Sequence, residues 1–278
     1  MSPLVSTQWL ADRLDDPRTK VLDATWRMPG DPADAREGFE AAHIPGARFF
    51  DTDEVADRST DLPHMAPPPE QFAEQVGALG IGNGDTVVVY DQQGLFSAPR
   101  AWWTFRLFGH DAVQVLDGGL PLWRAEGRPV ESGAAAPVAP ATFRSQFRRE
   151  LVRDLEQVRR ALEHRTQLLD ARPAARFRGE APEPRAGLRS GHMPHALNLP
   201  FSELVDDGRL RPPEELAARF EQARVEAGRP VTATCGSGLT AAILALALAR
   251  LGHWETAIYD GSWTEWGGRA DTPVVTGA

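Results

Sequence analysis

The sequence has a single cysteine, Cys235, among its 278 residues. A lone cysteine excludes an internal disulfide, and it excludes a zinc site built from several thiolates. It fits a reducing, cytoplasmic compartment, where proteins are not stabilised by disulfides. The first residues also lack the basic start and apolar run of a secretory signal peptide. We therefore expect a cytoplasmic protein.

Long apolar runs and positive charge are scarce as well. The most apolar stretch, residues 239–251, is too short to cross a bilayer. The net charge is -9, and Lys20 is the only lysine, so arginine supplies almost all the positive charge. An acidic protein is poorly suited to bind nucleic acid or an anionic membrane, so we expect neither as a partner. An anionic substrate would require arginines placed at its site.

The sequence repeats itself once, in the same order. The string VLDATW (21–26) returns as LLDARP (168–173), and DTVVVYDQQG (85–94) returns as RPVTATCGSG (229–238). Two more pairs are REGFEAAHIPGARFF (36–50) with RAGLRSGHMPHALNL (185–199), and DGGLPLW (117–123) with DGSWTEW (260–266). Four ordered pairs at nearly constant separation indicate two copies of one domain. The predicted boundaries are 1–128 for the first domain, 129–148 for an Ala/Pro-rich linker, and 149–278 for the second domain.

Each copy alternates between two patterns. Apolar runs at 87–90 and 231–234 are typical of buried parallel strands, whereas 69–80 and 213–225 have the pattern of amphipathic helices that begin with proline. This alternation predicts an α/β fold in which each domain is a parallel sheet flanked by helices. Ligands of such sheets bind beyond the carboxyl ends of the strands.

Cys235 falls at such a position. It follows the strand at 231–234 and precedes a helix predicted to begin near Leu239 and to end before Gly252. Main-chain amides of the loop and the helix N-terminus would favour a thiolate there. A lone cysteine is more often a small core residue. The first copy has Asp91 at the aligned position, which indicates an exposed polar site and a first domain that is chemically silent.

The tandem copies and the loop CGSGLT resemble the rhodanese-type sulfurtransferases. CGSGLT is similar to the CGSGVT loop of 3-mercaptopyruvate sulfurtransferases, whereas thiosulfate sulfurtransferases carry basic residues where Gly236 and Ser237 stand. Three further segments match the mercaptopyruvate group: DARPAARFRGEAPEPRAGLRSGHMP (170–194), HIPGARFFD (43–51) and YDGSWTEW (259–266). The stretch GLFSAPR differs from the family's GLYSAPR, because Phe96 lacks the hydroxyl.

The resemblance implies covalent catalysis. The Cys235 thiolate would take the sulfur of 3-mercaptopyruvate as a persulfide and release pyruvate. A thiol such as that of thioredoxin, or cyanide, would accept the sulfur. Neither a metal nor an organic cofactor is implied.

The resemblance also implies that Arg176 and Arg185 hold the substrate carboxylate, with Arg178 as a nearby alternative. The repeat aligns Arg176 with Arg27 and Arg185 with Arg36, so a role in stabilising the fold stays open. The loop residues that would line the substrate are Gly236, Gly238, Leu239 and Thr240.

A Ser/His/Asp arrangement near the cysteine is implied as well, for handling protons. Its members here would be Ser237, His43 from the first domain, and Asp34, with Asp31 as a competing acid. His43 aligns with His192 in the second copy, so both histidines could instead stabilise a turn.

Two alternative functions stay open. Thiosulfate:cyanide sulfurtransferase activity uses the same thiolate, and a non-catalytic sulfur-carrier or regulatory binding module needs no turnover. A cysteine phosphatase is excluded, because its arginine six residues after the cysteine is Ala241 here.

Overall fold

The chain folds into two compact units. The computed structural model describes residues 2–28, 30–164, 166–226 and 228–277. Unit 1 consists of Met1–Arg58, Ala66–Arg148 and Asp207–Leu210, and unit 2 consists of Ser59–Met65, Arg149–Asp206 and Arg211–Ala278.

Unit 1 is built on a parallel sheet. Its strands are β1 (Leu4–Val5), β2 (Thr19–Asp23), β3 (Arg48–Phe49), β4 (Thr86–Tyr90) and β5 (Val113–Leu116). They lie in the order β1-β5-β4-β2-β3, and every neighbouring pair is parallel. The flanking helices are α1 (Thr7–Ala11), α2 (Ala35–Ala41), α3 (Thr52–Val55), α4 (Pro69–Ala78), α5 (Ala98–Leu107) and α6 (Gly119–Ala125).

Unit 2 repeats this architecture. Its sheet contains β6 (Val152–Arg153), β7 (Gln167–Asp170), β8 (Leu197–Asn198), β11 (Val231–Thr234) and β12 (Ala257–Tyr259). Two short strands lie between β8 and β11 in sequence: β9 (Val205–Asp206) of unit 2 and β10 (Arg209–Leu210), which the division into units assigns to unit 1. The helices are α7 (Leu155–Glu163), α8 (Ala174–Phe177), α9 (Pro213–Gln222), α10 (Ala241–Arg250) and α11 (Ser262–Gly268), with 3-10 turns at Arg149–Leu151 and Phe201–Glu203. The strand order β6-β12-β11-β7-β8 is that of unit 1, and all pairs are parallel. The predicted fold class is confirmed.

The central strands have the sequences expected of buried parallel sheets. The residues of β11 are all buried, as are the last four of β4, and both strands are rich in valine and threonine, whose branched side chains favour extended backbone. Helices α4 and α9 begin at the predicted prolines, Pro69 and Pro213, whose fixed φ suits the first turn of a helix.

Helix α10 follows the cysteine loop. Every residue from Ala241 to Ala249 is buried, so this apolar run is core on all sides. The helix begins two residues later than predicted, because Leu239 and Thr240 form a turn. Beyond its end Gly252 has φ +97°, a conformation that glycine adopts without strain. Within the described ranges, no helix has the length and apolar character needed to span a membrane.

The predicted linker, residues 129–148, is part of unit 1. The backbone of Glu131 pairs with that of His43 through two 2.9 Å hydrogen bonds. Phe143 is 5% exposed, and its ring packs edge-on against Phe72 with 5.7 Å between centroids. Composition predicted a linker because Ala, Pro and Gly dominate it, but a few anchored side chains are enough to bind the segment to the domain.

The packing of this segment predicts unequal effects of two similar substitutions. Phe143→Ala should lower the free energy of unfolding by about 3 kcal/mol, because it removes a buried ring. Phe147→Ala is the matched control: Phe147 is 41% exposed, so its loss should cost under about 1 kcal/mol. Urea denaturation of both variants measures the difference, and equal small losses would show that the segment is loosely attached.

Candidate active site

The cysteine loop joins β11 to α10, and hydrogen bonds to the segment that follows β12 fix its backbone. Cys235 is 2% exposed. Its N–H donates to Ser262 Oγ (3.2 Å), and its carbonyl accepts from Trp263 N–H (3.0 Å). Ser262 itself has φ +50° and donates through Oγ to the carbonyl of Tyr259 (2.8 Å). The segment after β12 therefore sets the position of the sulfur.

The next loop residue is held by the same segment. The carbonyl of Gly236 accepts from the N–H (2.8 Å) and the hydroxyl (2.7 Å) of Thr264. Gly238 has φ +78°, which other residues adopt only with strain. Burial raises the pKa of Tyr259, whose hydroxyl donates to Glu265 (2.8 Å), so this phenol stays neutral. The sequence segment YDGSWTEW thus acts as the support of the cysteine loop.

Ser237 is paired with a histidine that the sequence did not single out. His64 Nδ1 lies 3.0 Å from Ser237 Oγ, and both residues are buried. His64 belongs to Ser59–Met65, a segment of unit 2 that the predicted boundaries assign to the first domain. One sequence signal could have identified His64. The triplet PPE occurs at residues 68–70 and again at 212–214, and alignment of the two triplets pairs His64 with Gly208. Like the cysteine, this histidine occurs in one copy only.

His43 has the same surroundings as its counterpart His192. His43 Nδ1 donates to the carbonyl of Phe39 (2.8 Å), and its ring stacks on Phe39 at 4.1 Å between centroids. His192 Nδ1 donates to the carbonyl of Phe177 (2.8 Å) and stacks on that ring at 3.7 Å. Burial lowers the pKa of His192. His43 therefore makes the same turn contacts as its counterpart, and a catalytic role for it stays a prediction, whereas the histidine that contacts Ser237 is His64.

The two candidate acids serve local turns. Asp34 caps α2, because Oδ1 accepts from Glu37 N–H (2.8 Å). Asp31 Oδ1 accepts from Ala33 N–H (2.9 Å), and its other oxygen lies 3.8 Å from Arg27. A helix cap accounts for Asp34 and a side-chain hydrogen bond within a turn accounts for Asp31, and a catalytic role for either stays a prediction.

Arg176 lies beside the cysteine loop, as the sequence predicted for a substrate-binding arginine. A Cβ at Gly236 would lie only 3.3 Å from Arg176 Nη2. Arg185 is half-buried in the stretch that follows α8. The alternative, Arg178, forms an exposed ion pair with Glu180 (2.7 Å). Substrate binding by Arg176 and Arg185, and lining of the substrate by Gly236, Gly238, Leu239 and Thr240, stay predictions.

The repeat alignment of the arginines is wrong. Phe39 stacks on His43 and Phe177 stacks on the counterpart histidine, so Phe177 corresponds to Phe39. Arg176 therefore corresponds to Gly38 and not to Arg27. Arg185 lies between Phe177 and the stacked histidine, in a stretch much longer than the one after Phe39. Its predicted counterpart Arg36 is therefore not its structural equivalent. The segment between β7 and Phe177 is shorter than the segment between β2 and Phe39, and this difference offsets the longer segment after Phe177. Because the two differences nearly cancel, the sequence comparison did not reveal that the arginines are out of alignment.

A buried ion network beside Arg176 was also missed. Arg172 donates to Asp170 Oδ2 (2.6 Å), to Glu183 Oε1 (2.8 Å) and to the carbonyl of Gly191 (2.9 Å). Its guanidinium lies 4.2 Å from the centroid of the Trp263 ring. Both side chains of the Arg172–Glu183 pair are 1% exposed. Its members all lie in the segment 170–194, but the order of residues in that segment does not show which carboxylate pairs with which arginine.

The loop of unit 1 surrounds a carboxylate. Asp91 is fully buried, and its Oδ2 accepts from the main-chain N–H groups of Phe96 (2.8 Å), Ser97 and Ala98 (both 2.9 Å). Its Oδ1 accepts from Gln93 N–H (2.9 Å). The expectation of an exposed polar position is wrong for both copies, because the loop closes over the side chain. This loop type directs its amides at a buried anion.

Removal of the Asp91 carboxylate should be costly for unit 1. Asp91→Ala leaves four N–H groups without their acceptor, so we expect the free energy of unfolding to fall by about 3 kcal/mol. Asp15→Ala, at an exposed position, is the matched control and should change it by less than about 0.5 kcal/mol. Urea denaturation checks both values. A similar small loss in the two variants would mean that the Asp91 hydrogen bonds add little.

Known proteins resemble this chain over nearly its whole length. The Rhodanese-like domain family matches residues 6–126 and 154–269. The chain is 48% identical to thiosulfate/3-mercaptopyruvate sulfurtransferase 1, mitochondrial, of Arabidopsis thaliana, covering 98% of this chain and 78% of that protein. It is 46% identical to 3-mercaptopyruvate sulfurtransferase of Homo sapiens, covering 96% and 92%. The crystal structure of SseA from Escherichia coli, described as a 3-mercaptopyruvate sulfotransferase, superposes with a TM-score of 0.87 at 41% identity, covering 95% and 99%. The chain therefore belongs to the rhodanese family, with two rhodanese-like domains.

Proposed function

We propose that this protein is a sulfurtransferase that takes the sulfur of 3-mercaptopyruvate onto Cys235. The observation that carries the proposal is the place of the only cysteine, in a strand–loop–helix turn. Arg176 lies beside this loop, and the loop residue Ser237 contacts His64. The names of the human and plant relatives support this donor.

The reaction proceeds in two transfers. The Cys235 thiolate attacks the donor sulfur, a new S–S bond forms, and the C–S bond of mercaptopyruvate breaks. The electron pair of that bond leaves with the organic fragment as the enolate of pyruvate, which takes up a proton. A thiol acceptor such as thioredoxin, or cyanide, then attacks the outer sulfur and releases the thiolate. These acceptors, and a cytoplasmic location, are part of the proposal.

Main-chain amides and polar side chains of this chain are suited to the negative charges that form during the two transfers. The loop of unit 1 shows how this turn holds an anion, since its amides surround the Asp91 carboxylate. We infer that the amides of the equivalent loop stabilise the Cys235 thiolate and persulfide in the same way. The His64–Ser237 pair is placed to supply the proton that the enolate needs. Arg176 provides the positive charge for the donor carboxylate.

Thiosulfate is a second candidate donor. Thiosulfate sulfurtransferase of Bos taurus is 46% identical to this chain, and the plant relative's name includes both donors. Gly236 and Ser237 offer no charged side chain to a dianion, so we expect thiosulfate to be the weaker substrate.

Mass spectrometry tests the nucleophile and the donor together. After incubation with 3-mercaptopyruvate, Cys235 should gain one sulfur atom, whereas Cys235→Ser should gain none. The value of kcat/KM should be higher for 3-mercaptopyruvate than for thiosulfate, and the opposite order would assign the thiosulfate activity. No adduct, with Cys235 unreactive toward alkylating agents, would indicate a binding module.

The two histidines should behave differently. His64→Gln should lower kcat about 100-fold, because it removes the ring that faces Ser237. His43→Gln, the matched control in unit 1, should keep kcat within about twofold and lower the melting temperature, because it breaks a buried stack. Steady-state kinetics and thermal unfolding of both variants check this. An equal loss of kcat in His43→Gln would restore the sequence-based assignment.

A further inference from the structure

The carboxylate of Glu183 is shared by two arginines of unit 2. Its side chain is 1% exposed. Oε1 accepts from Arg172 Nη1 (2.8 Å), and Oε2 accepts from Arg176 Nε (3.2 Å) and from Arg176 Nη2. A buried carboxylate with both oxygens bonded has little freedom to move. The position of Arg176 therefore depends on that of Glu183.

Arg172 fixes Glu183 in turn. The Arg172 guanidinium is 1% exposed and is bound to Asp170 at the end of β7. The carbonyl of Gly191 and the face of the Trp263 ring hold it from other sides. These contacts join it to the sheet and to α11, so the network is anchored in the core of unit 2.

Arg176 forms the accessible end of this network. Its side chain is 21% exposed, whereas those of Arg172 and Glu183 are 1% exposed. Among the described residues, Arg176 Nη1 forms no hydrogen bond, while Nε and Nη2 are bonded to Glu183. Nη2 is also the atom that lies beside Gly236 of the cysteine loop, so the partly exposed end of the guanidinium is next to this loop and Nη1 is available to an anionic ligand.

Unit 1 shows what replaces the network where no cysteine is present. Gln92 stands at the position of Gly236, and a Cβ at Gly38, the counterpart of Arg176, would lie 2.5 Å from Gln92 Oε1. Gln92 also donates to Asp23 (3.0 Å), which ends β2 as Asp170 ends β7. The Arg172 position is Thr25, which donates to the same aspartate. The arginine network is thus confined to the unit with the cysteine.

We propose that Glu183 is a positioning residue that holds Arg176 against the cysteine loop, and so sets the preference of the site for reagents with a carboxylate. The role in sulfur transfer rests on the proposed function. A positioned arginine binds a carboxylate without first losing its side-chain freedom, so release of Arg176 should weaken binding of the donor.

A simple charge argument predicts the opposite effect. Glu183 carries a negative charge close to Arg176, so its removal alone would make the site more positive and more attractive to anions. If Glu183 positions Arg176, its replacement by glutamine should weaken the preference for reagents with a carboxylate. If Glu183 only neutralises Arg176, the same replacement should strengthen that preference. The sign of the change decides between them.

Alkylation of Cys235 measures the preference directly. Iodoacetate carries a carboxylate and iodoacetamide does not, and in both reactions the thiolate sulfur displaces iodide. We expect Glu183→Gln to lower the ratio of the two rate constants about fivefold, toward the value for Arg176→Ala. Glu180→Gln is the matched control, because Glu180 pairs with the exposed Arg178, and it should leave the ratio unchanged.

Two further measurements test whether Glu183 acts through Arg176. The double variant Glu183→Gln/Arg176→Ala should have the ratio of Arg176→Ala alone, since non-additivity indicates a shared path. In turnover of 3-mercaptopyruvate, Glu183→Gln should raise KM about tenfold and change kcat less than about threefold. An unchanged or higher ratio in Glu183→Gln, or additive losses in the double variant, would overturn the proposal.

Gly236→Ala tests the same point without touching the buried network, in case Glu183→Gln does not fold. Its Cβ would lie 3.3 Å from Arg176 Nη2, so the guanidinium must shift by a few tenths of an ångström and the ratio should fall. An unchanged ratio would contradict the proposal. The alkylation ratio does not depend on sulfur transfer. A wild-type protein that forms no persulfide would therefore refute the proposed function, while the ratio would still test Glu183.

Discussion

A buried side chain at the carboxyl end of a central parallel strand is the constraint around which both units are organised. In unit 1 that side chain is Asp91, and four main-chain N–H groups converge on its carboxyl oxygens. In unit 2 the equivalent position is Cys235, whose backbone is fixed by Ser262 and Trp263. One copy satisfies the amides of its loop with the oxygens of an aspartate. The other has the sulfur of a cysteine at this position.

The acidic protein offers an anionic donor one arginine at the cysteine loop, and it balances the other arginine of the network with carboxylates. Arg172 is buried and neutralised by Asp170 and Glu183, whereas Arg176 reaches the cysteine loop. A buried arginine with two carboxylate partners is costly to leave unpaired, so the network keeps its geometry. That geometry matters more to the site than the net charge of -9.

Several site residues could be found from sequence, and others could not. Cys235, Ser237 and Arg176 were accessible because a short loop and a family resemblance identify them. His64 was not, since its segment belongs to unit 2 although its place in the chain suggests the first domain. Glu183 and Arg172 carry no pattern of their own. The false pairing of Arg176 with Arg27 arose because insertions and deletions of similar length cancel between Asp23 and His43.

The sequence by itself determined the duplicated α/β architecture and the presence of the single cysteine in one copy only. Strand and helix periodicities are local, and a repeat is visible wherever its offset stays nearly constant. Only the tertiary structure decided which histidine faces Ser237, that Asp91 and Cys235 are both buried, and which carboxylate holds Arg176. These depend on contacts between residues far apart in the chain, such as His64 and Ser237, whose pairing is decided by the path of the chain and not by residue type.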